Sequence, residues 1–172
     1  GARSQVRYWE SDLALWEHAV QTTVDNPFAR TNLGFALIDG GDFAAGIAQY
    51  TEALKIKPDS AETRNALGVA LLKQGQLDAA MEQFEMVLRI KPGFAEAHSN
   101  RGMVLAQRGD TEEAFSEFRK ALEISPENPK VQYNFGFALA SQGKLDEAMS
   151  YYRKALTIRP DYADAYFQMG NA

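Results

Sequence analysis

The sequence predicts an all-α solenoid of stacked helix pairs, and three observations carry that prediction. Gly34, Gly68, Gly102, Gly136 and Gly170 follow one another at intervals of 34 residues. Gly41, Gly75, Gly109 and Gly143 keep the same interval, as do Pro58, Pro92, Pro126 and Pro160. Between these marks apolar residues recur three and four positions apart, the spacing of one face of an α-helix. A fixed period of this size means one supersecondary unit copied along the chain, each copy burying its apolar face against the next.

Taken in order, residues 1–26 read as a degenerate N-terminal half-repeat. Carried back into this stretch, the register puts Trp16 and Ala19 at the packing positions of a second helix, with Leu13 and Val20 completing its apolar face. The partner first helix is missing, and Tyr8 and Trp9 are expected to cover what it would have covered. Four full units follow at 27–60, 61–94, 95–128 and 129–162, and 163–172 forms the first helix of a truncated fifth unit. Within each unit one helix covers roughly unit positions 1–14 and another roughly 17–31. The glycine at position 15 suits a left-handed helix stop, and the proline at position 32 ends the second helix. Asn26-Pro27 and Asn128-Pro129 read as N-caps followed by first-turn prolines, and Ser60 as a third cap. The mid-helix glycine at position 8 costs about 1 kcal/mol against alanine. Its repetition implies that a neighbouring helix packs into the gap.

Composition narrows the function. Of 172 residues, 45% are hydrophobic and 24% charged, ordinary values for a globular chain. The net charge of −5 and the lack of a long basic cluster argue against nucleic acid as a partner. No apolar run reaches the length of a membrane span, so direct membrane insertion is not expected. Cysteine is absent, which excludes disulfides and thiolate metal sites and leaves the compartment unassigned. His18 and His98 lie far apart in the register and call for surface or packing roles. No phosphate-binding G-x-x-x-x-G-K-[ST] occurs. The acidic pairs Glu112-Glu113 and Asp146-Glu147 open second helices, where they complement the positive helix end. No catalytic residue, metal site or cofactor is expected, and the chain does not read as an enzyme.

The motif runs Gly68, Leu71, Ala80, Phe84, Val87, Pro92 in one unit and Gly102, Leu105, Ala114, Phe118, Ala121, Pro126 in the next. The last full unit gives Gly136, Leu139, Ala148, Tyr152, Ala155, Pro160. This pattern resembles the tetratricopeptide repeat family over about 27–172. The resemblance implies a right-handed superhelix of antiparallel helix pairs whose first helices line a concave, protein-binding face. Three departures stand out. Gly46 replaces alanine at position 20, Arg101 replaces leucine at position 7, and Arg30, Arg64, His98 and Gln132 stand at position 4 in place of an aromatic. The run 8–19 is similar to the junction where membrane glycosyltransferase-like proteins pass into a C-terminal repeat region.

In that family unit positions 2, 5, 6, 9, 12 and 13 point into the groove. Position 6 carries Asn32, Asn100 and Asn134, interrupted by Ala66 with Asn65 one step away. Amides both donate and accept, so such a row can pair with the backbone of an extended peptide; the alternative is a merely solvated polar row. The row resembles the asparagine ladder of O-linked N-acetylglucosamine transferases. Position 9 carries Phe35, Val69, Met103 and Phe137, with Tyr133 beside the last. Positions 7, 8 and 11 already supply the core, so these side chains are expected to be partly exposed as contacts, or else packed between adjacent first helices. Lys73 is one of few groove charges. Thr31/Phe35 and Glu96/Asn100 lack the residues of a carboxylate clamp, and Lys130 alone is none.

Two functions follow. The first is a protein–protein interaction module that binds an extended peptide or partner helix in its groove. The second is a self-assembly or regulatory extension of a larger, membrane-bound glycosyltransferase-like protein, with self-association through uncapped ends that expose Tyr166, Phe167 and Met169 near Trp9 and Trp16 of another copy. The unfinished fifth unit, without a polar capping helix, leads to the expectation that 1–172 is a segment of a longer chain.

Overall fold

The computed structural model describes residues 2–171, and side chains from residue 12 to residue 170. The side chains of Tyr8 and Trp9 therefore lie outside the described residues. Among the described residues there are ten α-helices and no strand: α1 (Ala2–Thr22), α2 (Pro27–Asp39), α3 (Phe43–Ile56), α4 (Ala61–Lys73), α5 (Leu77–Ile90), α6 (Ala95–Arg108), α7 (Thr111–Ile124), α8 (Pro129–Ser141), α9 (Leu145–Ile158) and α10 (Ala163–Asn171). The fold is an all-α solenoid of antiparallel helix pairs. It divides into two compact units, Gly1–Met86 and Val87–Ala172.

The turns repeat as faithfully as the sequence. Gly41, Gly75, Gly109 and Gly143 adopt φ of +85°, +71°, +91° and +74°, in the left-handed region. The residue after each returns a hydrogen bond to the carbonyl four positions before the glycine, on Leu37, Leu71, Leu105 and Leu139, at 2.9–3.0 Å. This closes the first helix and reverses the chain within three residues. Three of the first helices are capped at their starts from a side chain. Asn26 Oδ1 accepts from the Ala29 amide at 2.9 Å, Ser60 Oγ from Thr63 at 3.3 Å, and Asn128 Oδ1 from Lys130 and Val131 at 3.0 and 3.3 Å.

The position-8 glycines admit an aromatic ring from the second helix of the same unit. A Cβ on Gly34 would stand 2.6 Å from the Tyr50 ring, on Gly68 2.6 Å from Phe84, on Gly102 3.1 Å from Phe118 and on Gly136 2.8 Å from Tyr152. All four rings are buried, and removing each from water stabilises the fold by about 2–3 kcal/mol. Gly46 has its own reason: a Cβ there would stand 2.6 Å from Ile38 Cγ1 and 3.0 Å from the Gly34 carbonyl oxygen. Two glycines thus face each other where α2 crosses α3.

In the first unit α2 packs on α1 and α3, and α4 joins α3 and α2. Trp16 of α1 meets Phe28 edge-on at 5.7 Å. In the second unit α6 pairs with α7 and α8 with α9, α6 lies beside α8, and α10 closes on α9. Its core gathers Phe115, Phe118, Phe135, Leu139 and Tyr152, with Phe118 and Phe135 stacked at 5.1 Å. Met169 packs partly against this cluster, which corrects the expectation that it is exposed with Tyr166 and Phe167. Those two are 57% and 68% exposed.

Candidate functional site

In each unit the first helices present apolar side chains at position 9 that the core does not take up. At position 9, Phe35 is 50% exposed, and Val69, Met103 and Phe137 are half-buried. Positions 7, 8 and 11 beneath them are mostly buried, as at Leu33, Gly34, Leu67, Gly68, Leu71, Phe135, Gly136 and Leu139. On α2 the row extends to Phe28, 68% exposed, so Phe28, Asn32 and Phe35 make an i, i+4, i+7 stripe on one helix face. Phe28 stands at unit position 2, an apolar side chain where Glu62, Glu96 and Lys130 stand in the later repeats. Lys73 is exposed at the end of α4.

In the second unit Tyr133 is half-buried, with its ring 6.4 Å from Phe137, 5.9 Å from Tyr152 and 5.2 Å from Tyr162. Burial and then the neighbouring charge of Asp164 push its hydroxyl up from the ordinary phenol range, against a hydrogen bond with Gln168. Burial likewise pushes Tyr152 and Tyr162 up to about 12. These phenols stay neutral near pH 7; Tyr133 and Tyr162 are half-buried, whereas Tyr152 is enclosed in the core.

The amide row requires a correction. Asn65, Asn100 and Asn134 are buried, so they do not form a solvated row. Within each unit, neighbouring first helices lie side by side and share side-chain hydrogen bonds. Asn134 Nδ2 donates to Ser99 Oγ across α6 and α8 at 3.0 Å, and Thr31 and Thr63 share a hydroxyl hydrogen bond across α2 and α4 at 3.0 Å. Asn32 is half-buried, and its Nδ2 donates to the Phe28 carbonyl at 2.8 Å.

Position 4 turns out to be a strut. Arg30 Nη1 donates to Gln49 Oε1 and Arg64 Nη1 to Gln83 Oε1, each at 3.1 Å, while His98 Nδ1 meets Glu117 Oε2 at 2.8 Å. Each pair spans 19 residues and ties the first helix to position 23 of the second. Three position-4 side chains reach back to the preceding position-32 proline. Arg64 Nε meets the Pro58 carbonyl at 2.8 Å, His98 Nε2 that of Pro92 at 3.0 Å and Gln132 Nε2 that of Pro126 at 2.7 Å. The shared signal was in the sequence: every residue at position 4 carries a side-chain N–H.

In the third repeat the strut becomes ionic. Glu117 is buried, and its carboxylate also accepts from Lys120 Nζ at 2.8 Å and lies 3.4 Å from Arg101 Nη1. Arg101, which replaces the expected leucine, is accommodated by this carboxylate. Burial alone would push Glu117 up, but hydrogen bonds from Lys120 and His98 and the charge of Arg101 outweigh it and hold the group below the ordinary carboxylate range. Among the described residues no cluster of His, Cys, Asp or Glu could hold a metal ion, and no helix is long and apolar enough to cross a membrane.

Two family models, each described as tetratricopeptide repeat, match residues 37–102 and 93–161. A comparison with curated protein sequences finds no match. Solved structures of the same fold include TTC0263, a thermophilic TPR protein of Thermus thermophilus, at TM-score 0.84 and 23% identity over 99% of this chain and 93% of that one. YrrB, described as a TPR protein with an unusual peptide-binding site, aligns at TM-score 0.63 and 24% identity over 97% and 86% of the two chains. MamA from Desulfovibrio magneticus aligns at TM-score 0.70 and 21% identity over 94% and 92%. With the repeat register, the helix pairing and the matched models in agreement, the chain belongs to the tetratricopeptide repeat family, whose fold is that of a protein–protein interaction module.

Proposed function

We propose that the exposed faces of the first helices bind an extended peptide or partner helix of another protein. In the first unit Phe28, Asn32, Phe35, Val69 and Lys73 supply the contact, and in the second Met103, Tyr133 and Phe137. Buried Asn134 ties α8 to α6 beneath the contacts of the second unit. The observation that carries the reading is the position-9 row, which stays exposed or half-exposed while its neighbours at positions 7 and 8 go into the core. A set of apolar side chains at a fixed interval, left outside an already complete core, is the mark of a docking face. Phe28 and Phe35 at i and i+7 suit the anchors of an apolar peptide, and the tyrosine hydroxyl and Asn32 carbonyl oxygen add polar contacts. The peptide-binding site named for YrrB, a protein of similar fold, supports the same class of ligand.

The test is capture from a displayed peptide library by the wild-type chain, by Phe28→Ala/Phe35→Ala and by Phe137→Ala. Arg119→Ala on α7 serves as control. Loss of about tenfold or more in affinity for selected peptides in the first two variants, with unchanged helical circular dichroism and an unaffected control, is the expected result. Equal capture by all four chains would refute the reading.

A further inference from the structure

Three struts run from position 4 to the carbonyl of the preceding position-32 proline, and they differ in one chemical respect. Arg64 and Gln132 donate through groups that do not titrate near neutrality, whereas His98 donates through an imidazole. Both ring nitrogens of His98 face acceptors. Nδ1 lies 2.8 Å from Glu117 Oε2, and Nε2 lies 3.0 Å from the Pro92 carbonyl oxygen. The carbonyl cannot donate. Glu117 receives Lys120 Nζ at 2.8 Å and lies 3.4 Å from Arg101 Nη1, so its oxygens accept as well. Only the imidazolium carries an N–H on both nitrogens. A neutral ring keeps one of the two bonds and turns a lone pair towards the other oxygen.

We infer that His98 is a proton-operated latch, which when charged fastens α6 both to Glu117 on α7 and to the turn at 91–94, and when neutral lets the turn go. The groups that face it are Glu117 from α7 and the Pro92 carbonyl from the turn. Arg101 of α6 and Lys120 of α7 act on it through Glu117, and Lys91 of the turn lies over the Phe94 ring at 5.0 Å. Glu117 is the acceptor more deeply held, by two further cations, so proton loss gives up the bond to Pro92. That turn carries the start of α6: Phe94 N–H donates to the Lys91 carbonyl at 3.1 Å and Ala97 N–H to the Phe94 carbonyl at 3.0 Å. The turn at 57–60, held by Arg64, has the same form and no titrating strut.

The experiment is amide hydrogen exchange at Phe94 and Ala97 from about pH 5 to about pH 8, corrected for intrinsic exchange, with the His98 ring nitrogens followed by NMR. In the wild type both ring nitrogens are protonated at the acid end. Protection at Phe94 and Ala97 falls roughly fivefold as Nε2 loses its proton, the effect of one lost hydrogen bond. His98→Gln and His98→Arg keep a donor that does not titrate and abolish the fall, and Ser60 and Thr63 show none in any chain. The latch is overturned if Nε2 loses its proton while protection at Phe94 stays constant. It is equally overturned if either folded variant shows the same fall as the wild type, or if the ring is already neutral at the acid end.

Discussion

Gly68 and Phe84 are fitted to each other: a Cβ on residue 68 would lie 2.6, 2.9 and 3.0 Å from three atoms of the Phe84 ring. The ring is wholly buried and has no room to retreat. Gly68→Ala therefore forces overpacking that outweighs the gain in helix propensity, a net loss of about 1–2 kcal/mol in denaturant unfolding. Gly170 holds the same unit position but has nothing within 4 Å of a built Cβ. Gly170→Ala is expected to be neutral or slightly stabilising. The pair of variants separates a packing role for the glycine from a backbone one.

Tyr152 occupies the same unit position as Phe84 and Phe118, yet its hydroxyl is buried without a hydrogen-bond partner among the described residues. Tyr152→Phe removes an unpaired polar atom and keeps the ring that fills the space over Gly136. Stability is expected to be unchanged or to rise by up to about 1 kcal/mol, measured by urea unfolding. A loss of comparable size would show that the hydroxyl is paired in solution.

Arg64 makes two struts, to the Pro58 carbonyl and to Gln83. Arg64→Ala should cost about 1–2 kcal/mol, and Arg64→Gln roughly half of that, since glutamine makes the carbonyl bond at residue 132. Equal losses in the two variants would deny the strut its hydrogen-bonding role.

Glu117 gives the fold an acid dependence. Its carboxyl is held below the ordinary range, so the folded chain binds this proton less readily than the unfolded one. The resulting stabilisation is complete above the unfolded value of about 4.3 and is lost as pH falls through the lower folded value. Glu117→Gln should be less stable than wild type by about 1–3 kcal/mol near pH 7, and the gap should narrow on acidification as pH falls through the lowered folded value. A difference that does not narrow on acidification would contradict this assignment.

Much of the architecture was legible because it depends on residues with few substitutes. A left-handed turn calls for Gly41 and its equivalents, a helix crossing calls for Gly34 and its equivalents, and Asn26, Ser60 and Asn128 announce their helices by cap chemistry. The apolar row at position 9 was legible by subtraction from the core. The burial of Asn65, Asn100 and Asn134 was not, because period alone does not say how close successive first helices approach. A polar residue on a predicted outer face reads as solvated until a neighbour such as Ser99 is seen to cover it. The struts escaped for another reason. Arg30, Arg64, His98 and Gln132 looked like departures from an aromatic position, and their common donor chemistry gains meaning only once the Pro58, Pro92 and Pro126 carbonyls are seen beside them. Phe28 follows Asn26-Pro27, so its sequence context marks a helix start and not an exposed contact.

The first-helix face is tested most directly by amide chemical-shift mapping on isotope-labelled protein titrated with a library-selected peptide. Saturable shifts should gather on α2, α4, α6 and α8, at Phe28, Phe35, Val69, Met103 and Phe137, leaving the outer faces of α3, α7 and α9 unmoved. Shifts confined to α3, α7 and α9 would contradict the assignment of the binding face.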